Sequence, residues 1–127
     1  MIIGIGTDIV AVSRIEASYT RLGQKFVERI LAFSERDAFV QAKQPIALLA
    51  KRFAVKEAAG KALGTGIGQG VSWHDICIDH DNFGAPVLQL YARAAEIAAA
   101  KHVNNMQVSI SDEKDAAIAF VILSRDD

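Results

Sequence analysis

The segment from Pro45 to Gly64 constrains the fold of this chain more than any other part of the sequence. Proline suits the first turn of a helix because its missing N–H would have no helical partner there, and glycine commonly follows the last turn. Most residues between these two ends are apolar, and the charged residues are few. The sequence therefore predicts a long helix that ends at about Leu63, is apolar on most sides and has a narrow charged face.

Four of the five charged residues of this helix fall on two neighbouring stripes, because side chains four positions apart share a helix face; Lys51 is the fifth. The first stripe consists of Phe53, Glu57 and Lys61, and the second of Arg52, Lys56 and Gly60. An ordinary surface pair between Glu57 and Lys61 would explain the first stripe. A functional cleft lined by these charges is the alternative, and the spacing alone does not decide between the two.

The rest of the chain has helical patterns in its first half and strand patterns in its second, which predicts an α+β fold. A strand is expected from Ile2 to Val10, then a helix over about 14–22 with Ser13 as N-cap and Glu16 completing a capping box. Ser34 is expected to cap another short helix. Later strands are expected over 71–79, 86–91, 106–111 and 116–123, with a helix over 92–102. We expect one domain over residues 1–127: an antiparallel sheet, the long helix packed on it, and helices gathered in the N-terminal half.

Composition and charge disfavour several classes of protein. The chain has 127 residues, is 51% hydrophobic and has a formal net charge of −1, which argues against intrinsic disorder and against a strongly basic nucleic-acid binder. The charge is uneven, since residues 1–61 carry ten Lys and Arg against six acids, and residues 62–127 carry four against nine. One cysteine, Cys77, lies in an apolar run and predicts a buried thiol in a reducing compartment. Without a signal peptide or a membrane-length apolar run, we expect a cytoplasmic protein with no membrane or nucleic-acid partner.

Asp8 is the second unusual residue, because it interrupts an otherwise apolar predicted strand. It is either an edge residue that faces water or a ligand of a metal ion. Together with Glu57 it would form a sparse oxygen site that suits Mg²⁺, an ion that retains several waters and takes one or two carboxylates plus substrate phosphates. The cations Arg52, Lys56 and Lys61 would then hold phosphate oxygens.

Glycines recur from Gly64 to Gly70, directly after the long helix. The segment is not a Walker A motif, since no Gly-Lys-Ser/Thr occurs, and it is not the dinucleotide fingerprint, since Gln69 stands at the third glycine position. It is either a flexible connector or a loop whose backbone N–H groups approach a phosphate. The three histidines do not cluster, and none has zinc-ligand spacing with Cys77.

Two blocks of sequence, from Gly4 to Val10 and from Arg52 to Ile67, resemble the signature motifs of the holo-acyl-carrier-protein synthases. These are the short, stand-alone family of 4′-phosphopantetheinyl transferases, and the resemblance extends over essentially the whole chain. It implies Mg²⁺-dependent transfer of phosphopantetheine from coenzyme A to a serine of apo acyl carrier protein, with release of 3′,5′-ADP. It also implies a homotrimer whose active sites lie at subunit boundaries.

The resemblance implies three sets of site residues. Asp8 and Glu57 match the Mg²⁺ ligands and Lys61 the lysine beside the diphosphate, and these three are the expected catalytic residues. The positions that match the coenzyme A site are Arg52, Lys61, Gly64, Thr65 and Gly66. The positions that match the surface receiving the acidic carrier protein are Arg14 and Arg21.

Two positions depart from the family pattern. Asp112 stands where many relatives have a histidine that approaches the coenzyme A phosphates, and Gly60 stands where some have serine. No histidine role is therefore carried over, and we expect the base to be a water on the metal, steered by Asp8 or Glu57. The substitution Asp112→Ala should then leave most of the activity.

Two other functions remain open at this point. A Mg²⁺-dependent hydrolase of nucleotide diphosphates would use the same carboxylates and would consume coenzyme A without a protein acceptor. A non-catalytic module would bind an acidic partner through the basic first half of the chain, and would need neither Mg²⁺ nor Glu57.

Overall fold

The computed structural model describes residues 1–127 and has the mixed order of helices and strands that an α+β fold requires. In chain order the elements are β1 (Ile2–Ala11), α1 (Val12–Leu22), α2 (Gln24–Ile30), α3 (Arg36–Gln41), α4 (Pro45–Leu63), β2 (Ile76–His80), β3 (Pro86–Leu90), α5 (Ala92–Ala100), β4 (Asn105–Asp112) and β5 (Ala116–Ser124). Short 3₁₀ turns at Phe33–Glu35 and Trp73–Asp75 precede α3 and β2. The predicted bounds of α4 are confirmed at both ends.

The strands form two antiparallel sheets. In the larger sheet β5 lies between β1 and β4, and β2 and β3 form a separate hairpin. The first strand of the chain therefore pairs with the last, so that Asp8 lies opposite Ala119. This pairing brings the N-terminal sequence block beside the C-terminal hairpin. The predicted class, an antiparallel α+β fold with the long helix on the sheet, is confirmed, and the division into two sheets adds to it.

Two glycines of β1 let α4 lie directly against the sheet. A Cβ atom at Gly4 would overlap the carbonyl oxygen of Ala62, and one at Gly6 would overlap that of Ala58. Any larger residue at either position would therefore push the helix away from the strand. The close approach places the last two turns of α4 beside the middle of β1, which is where the two family blocks meet.

The interior of the protein is one cluster of 26 buried hydrophobic residues centred on α4 and the larger sheet. Twelve of the nineteen residues of α4 are buried, which confirms that the helix is covered on most sides. Two of the twelve, Arg52 and Lys56, are cations. None of the helices combines the length and the apolar character that crossing a membrane requires.

The two predicted serine caps are wrong. Helix α1 begins at Val12, directly after β1, and its N-cap residue Ala11 has no side-chain cap. The Val12 N–H instead donates to the Asp115 carbonyl at 2.9 Å, because the β4–β5 turn lies beside the end of β1. Ser34 lies inside a 3₁₀ turn, and the free N–H before that turn, on Ala32, is satisfied by the Glu35 carboxylate at 3.1 Å.

The strand predicted over 71–79 is shorter than expected. Residues Trp73–Asp75 form a 3₁₀ turn, and β2 begins only at Ile76. Ser72 caps this turn, since its hydroxyl accepts from the His74 N–H at 3.2 Å, and its own N–H donates to Asp75 at 3.3 Å. The apolar residues before Ile76 therefore pack on the core without joining the sheet.

Candidate active site

Asp8 lies on the side of β1 that faces α4. Side chains alternate along a strand, and Asp8 shares its side with the buried residue Val10. Its carboxylate accepts a hydrogen bond from the Lys61 ammonium at 3.1 Å, and the same ammonium donates to the Thr7 carbonyl at 2.9 Å. Only 16% of the Asp8 side chain is exposed, against 52% for Lys61. Asp8 is therefore held in a cleft between strand and helix and is not an edge residue in open water.

Glu57 lies one turn before Lys61 on the same stripe of α4 and is half-buried. Burial raises the pKa of Glu57, and the Asp8 carboxylate raises this pKa further, while Lys61 and Arg14 act in the opposite direction. Two carboxylates and two cations thus act on one another in this cleft. The structure brings the three expected catalytic residues, Asp8, Glu57 and Lys61, into one electrostatic cluster.

The donor set of this cleft fits a magnesium ion. Asp8 and Glu57 would supply two carboxylates and leave the other coordination positions to water or substrate oxygens, which is the usual arrangement for Mg²⁺. The repulsion that raises the pKa of Glu57 is also the kind that a divalent cation between the carboxylates would remove.

Arg14 lies beside this site and contacts Phe53, the third residue of the first stripe. Its guanidinium lies 5.3 Å from the centre of the Phe53 ring, in a cation–π arrangement. The Phe53 ring packs in turn on Trp73, at 4.9 Å between centroids. Arg21 lies seven positions further along α1, in an exposed depression beside Ser13 and Glu16 outside the cleft. Of the two predicted carrier-protein contacts, one therefore borders the carboxylates and the other lies on the adjoining surface.

The second stripe of α4 faces a different part of the protein. The Glu35 carboxylate receives Arg52 Nη1 at 2.9 Å and Lys56 Nζ at 2.6 Å. Lys56 is fully buried and also donates to the Trp73 carbonyl at 2.9 Å, so a phosphate cannot reach its ammonium. Burial lowers the pKa of Lys56, and the Glu35 carboxylate works against that shift. The expectation that Lys56 holds phosphate oxygens is wrong.

Arg52 differs from Lys56 because it borders a pocket. This pocket has a volume of about 240 Å³, and its polar lining comes from Lys51, Arg52, His80 and Asp112. Both hydrogen bonds of Arg52 leave from Nη1, to Glu35 and to the Ile78 carbonyl at 3.2 Å. No buried side-chain nitrogen or oxygen lacks a partner, so the other guanidinium nitrogens reach solvent.

The glycine loop after α4 is a helix cap. Gly64 adopts a left-handed conformation, with φ of 88°, and its N–H bonds back to Lys61 at 3.0 Å. The N–H groups of Thr65 and Gly66 both bond to the Gly60 carbonyl, at 3.2 and 2.9 Å. These three amides satisfy the end of the helix and are not free for a phosphate. The alternative in which the loop binds phosphate through backbone N–H groups is therefore wrong for these three amides.

Glu35, Lys51 and His80 are polar residues of this region that the sequence did not identify as site residues. A signal for Glu35 was present, because two cations on one stripe of a largely apolar helix require a counter-charge when they are buried. The sequence could not say which acid supplies it, since Glu35 lies 17 residues before Arg52. Cys77 is buried beside this cluster, and burial raises the pKa of its thiol, in keeping with the predicted structural role.

Comparison with known proteins places the chain in a family. A family model described as the 4′-phosphopantetheinyl transferase superfamily matches residues 4–121. A holo-[acyl-carrier-protein] synthase of Vibrio cholerae is 52% identical over 125 residues, which are 98% of this chain and 99% of the relative.

Solved structures agree with this assignment. The crystal structure of holo-[acyl-carrier-protein] synthase from Neisseria meningitidis matches with a TM-score of 0.91 and 44% identity, over 98% of this chain and 100% of that one. The enzyme from Bacillus anthracis, in complex with coenzyme A (3′,5′-ADP), matches with a TM-score of 0.82 and 38% identity, over 99% of both chains. As the two sequence blocks predicted, this chain belongs to the 4′-phosphopantetheinyl transferase superfamily.

Proposed function

We propose that this protein transfers the 4′-phosphopantetheine group of coenzyme A to a serine of apo acyl carrier protein, releases 3′,5′-ADP and requires Mg²⁺. The observation that supports it most is the cleft where the two family blocks meet, with Asp8 from one and Glu57 and Lys61 from the other. Relatives over nearly the full length are holo-[acyl-carrier-protein] synthases, and one was solved with coenzyme A.

The residues of the cleft divide the chemical work between them. When bound, Mg²⁺ would neutralise the diphosphate and make its phosphorus more open to attack. Asp8 and Glu57 would hold the ion, and one of the two would orient the water that takes the serine proton. The ammonium of Lys61 is accessible and would leave Asp8 to stabilise the departing 3′,5′-ADP phosphate.

Coenzyme A would extend from this cleft towards the pocket at Arg52. Lys51 and Arg52 give that pocket two cations suited to phosphate groups, with His80 and the acid Asp112 completing its polar lining. Gly64, Thr65 and Gly66 would border coenzyme A without using their amides, which are taken, and the Lys101 ammonium lies beside Gly64. An added Cβ at Gly66 would meet nothing within 4 Å, which leaves the surface at Gly66 open.

The carrier protein would dock on α1. Arg14 and Arg21 are exposed on this helix, and Arg14 reaches the carboxylate site, so an acidic partner held there would present its serine at the cleft. Charge complementarity of this kind weakens with added salt. Transfer should therefore need a higher concentration of carrier protein as ionic strength rises, and Arg14→Ala with Arg21→Ala should raise the KM for carrier protein with little change in that for coenzyme A.

We further propose a homotrimer built on the open face of the larger sheet. Ile5, Ile9, Ile118 and Phe120 are 41–65% exposed on β1 and β5, and the register places Ile9 opposite Ile118. Apolar patches of this kind on adjacent strands are typical of subunit interfaces. Phe120→Asp should give monomers in analytical ultracentrifugation, whereas Phe33→Asp, at a position 85% exposed outside the sheet, should not.

One experiment separates the proposed transfer from its rivals. The protein is incubated with apo carrier protein, coenzyme A and Mg²⁺, and the carrier protein is weighed by mass spectrometry. A gain of one phosphopantetheine that EDTA prevents supports transfer. Consumption of coenzyme A without a change in carrier mass would favour the hydrolase, and binding without either reaction would favour the non-catalytic module. We propose that residues 1–127 act as one such domain, and the cytoplasmic location stays a prediction.

A further inference from the structure

The buried ion cluster formed by Glu35, Arg52 and Lys56 has one carboxylate for two cations. Glu35 is 3% exposed, Arg52 6% and Lys56 fully buried. Oε1 of Glu35 accepts from Lys56 and from the Ala32 N–H, and Oε2 accepts from Arg52 and from the Ile78 N–H at 3.3 Å. Two backbone N–H groups from different parts of the chain therefore fix the carboxylate itself. A carboxylate held in this way cannot follow a moving guanidinium, so the guanidinium must adjust to it.

Arg52 is fixed at only one of its nitrogens. Nη1 donates both to Glu35 and to the Ile78 carbonyl, the other two guanidinium nitrogens have no partner within the protein, and Arg52 lines the pocket together with Lys51 and His80. A guanidinium presents its donors in a rigid planar fork, so anchoring one nitrogen sets the direction of the others. Arg52 is thus held at one corner, with its free donors directed to the pocket.

We infer that Glu35 is a positioning residue for substrate binding, which aims the free donors of Arg52 at the phosphate oxygens of coenzyme A. This inference rests on the proposed function, in which the pocket receives coenzyme A. Glu35 touches no substrate and acts only through Arg52. Its negative charge by itself disfavours an anion in the pocket, so a favourable effect of Glu35 on phosphate binding can come only from the orientation that it imposes.

Lys56 provides the means to test this. The single substitution Lys56→Met leaves the pair of Glu35 and Arg52 intact. The double substitution Lys56→Met with Glu35→Gln differs only at Glu35, and it removes one buried cation together with the buried anion, which protects the fold from two unpaired cations. If charge alone governed the pocket, the double variant would bind an anion more tightly than the single variant. If Glu35 positions Arg52, the double variant binds it more weakly.

The measurement is the dissociation constant of 3′,5′-ADP by isothermal titration calorimetry, together with kcat and KM for coenzyme A. We expect the Kd and KM of the double variant to rise on the order of tenfold over those of Lys56→Met, with kcat within about threefold. In a background that carries Arg52→Met and Lys56→Met, Glu35→Gln should not weaken binding of 3′,5′-ADP any further. Glu96→Gln, which removes the exposed pair with Arg93, is the matched control and should leave both constants unchanged.

Equal or tighter binding of 3′,5′-ADP by the folded double variant would overturn the inference, as would an equal effect of Glu35→Gln without Arg52. A lowered melting temperature with an unchanged Kd would also overturn it, because that is the result of a purely structural role. If the variants show the expected pattern of Kd values but the wild-type protein modifies no carrier protein, the inference is supported and the proposed transfer is overturned. If the wild-type protein transfers phosphopantetheine but Glu35→Gln does not change the Kd, the proposed transfer is supported and the inference is overturned.

Discussion

The two charged stripes of α4 have the same spacing along the helix but lie in opposite surroundings. One is open to solvent and the other is largely enclosed. Glu57 and Lys61 lie in a cleft that solvent reaches, and their partner Asp8 comes from β1. Arg52 and Lys56 lie only one position away around the helix, yet they are enclosed by the β2–β3 hairpin and the turn that contains Glu35. The charges in the open cleft are available to ligands, whereas Lys56 is committed to the fold and Arg52 is held at one nitrogen while it borders the pocket. Spacing along a helix therefore does not reveal which of its charges carry out chemistry.

The largest expected effect is on activity at the open cleft. Glu57→Gln should abolish transfer, a loss of more than about a thousandfold, because a neutral amide is a poor ligand for Mg²⁺ and a poor base. The substitution should not destabilise the fold, since burial and Asp8 already disfavour the charged form of Glu57. The measurement is transfer rate by mass spectrometry beside the melting temperature in EDTA. Full activity in a folded Glu57→Gln protein would remove Glu57 from the proposed mechanism.

The next effect is on stability at the enclosed cluster. Glu35→Gln alone should lower the free energy of unfolding by roughly 3–5 kcal/mol, because it leaves two buried cations without a counter-charge. Lys61→Met, which breaks an ion pair whose lysine is 52% exposed, should lower it by less than about 1 kcal/mol. Urea unfolding of both variants compares the two stripes directly. Similar losses of unfolding free energy for Glu35→Gln and Lys61→Met would contradict the contrast between the enclosed and the open stripe.

A smaller effect is expected where β1 approaches α4. Gly6→Ala should lower the free energy of unfolding by about 1–3 kcal/mol, because the new Cβ overlaps the Ala58 carbonyl and forces strand and helix apart. The same displacement would separate Asp8 from Lys61 and reduce transfer. Gly23→Ala is a useful comparison, since its added Cβ meets no atom within 4 Å and its cost comes from the positive φ of that position, which Gly6 does not have. Loss of transfer with Gly6→Ala but not with Gly23→Ala would link the close packing to the cleft.

The smallest effect is expected at Asp112, which lines the pocket of Arg52 at its far side. Asp112→Ala should leave most of the transfer and lower the KM for coenzyme A slightly, because it removes a negative charge that opposes phosphate groups. Initial rates over a range of coenzyme A concentrations provide the measurement. A near-complete loss of activity would instead assign Asp112 a direct part in the reaction.

Much of this fold could be predicted because its signals are local. Pro45 and Gly64 delimit α4, and the β-branched run after Met1 forms β1, each from properties of a few neighbouring residues. The serine caps at 13 and 34 were wrong because both turns begin before the serine: α1 starts at Val12, whose N–H donates to the distant Asp115 carbonyl, and the 3₁₀ turn around Ser34 is preceded by Ala32, whose N–H donates to Glu35. A capping motif identifies a side chain that could cap a helix, and the packing of the whole chain decides whether the helix begins there.

The candidate site shows the same difference between local signals, which could be predicted, and contacts across the fold, which could not. Asp8, Glu57 and Lys61 were identified from their sequence blocks, and the structure brings them together as expected. Glu35, Lys51 and His80 were missed because none lies in a motif, and the backbone N–H groups of Gly64, Thr65 and Gly66, which the sequence left open for a phosphate, are occupied by the helix cap. Proximity across the fold decides these cases.

Local patterns in the sequence were enough to predict the length and ends of α4, the α+β class, the family and the residues expected to hold Mg²⁺. Which charged stripe is open to solvent, and which is largely enclosed around Glu35, follows from the folded chain alone. Helix periodicity is set by neighbours a few residues apart, whereas burial depends on contacts such as Arg52 with Ile78, and Lys61 with Asp8, that are distant along the chain.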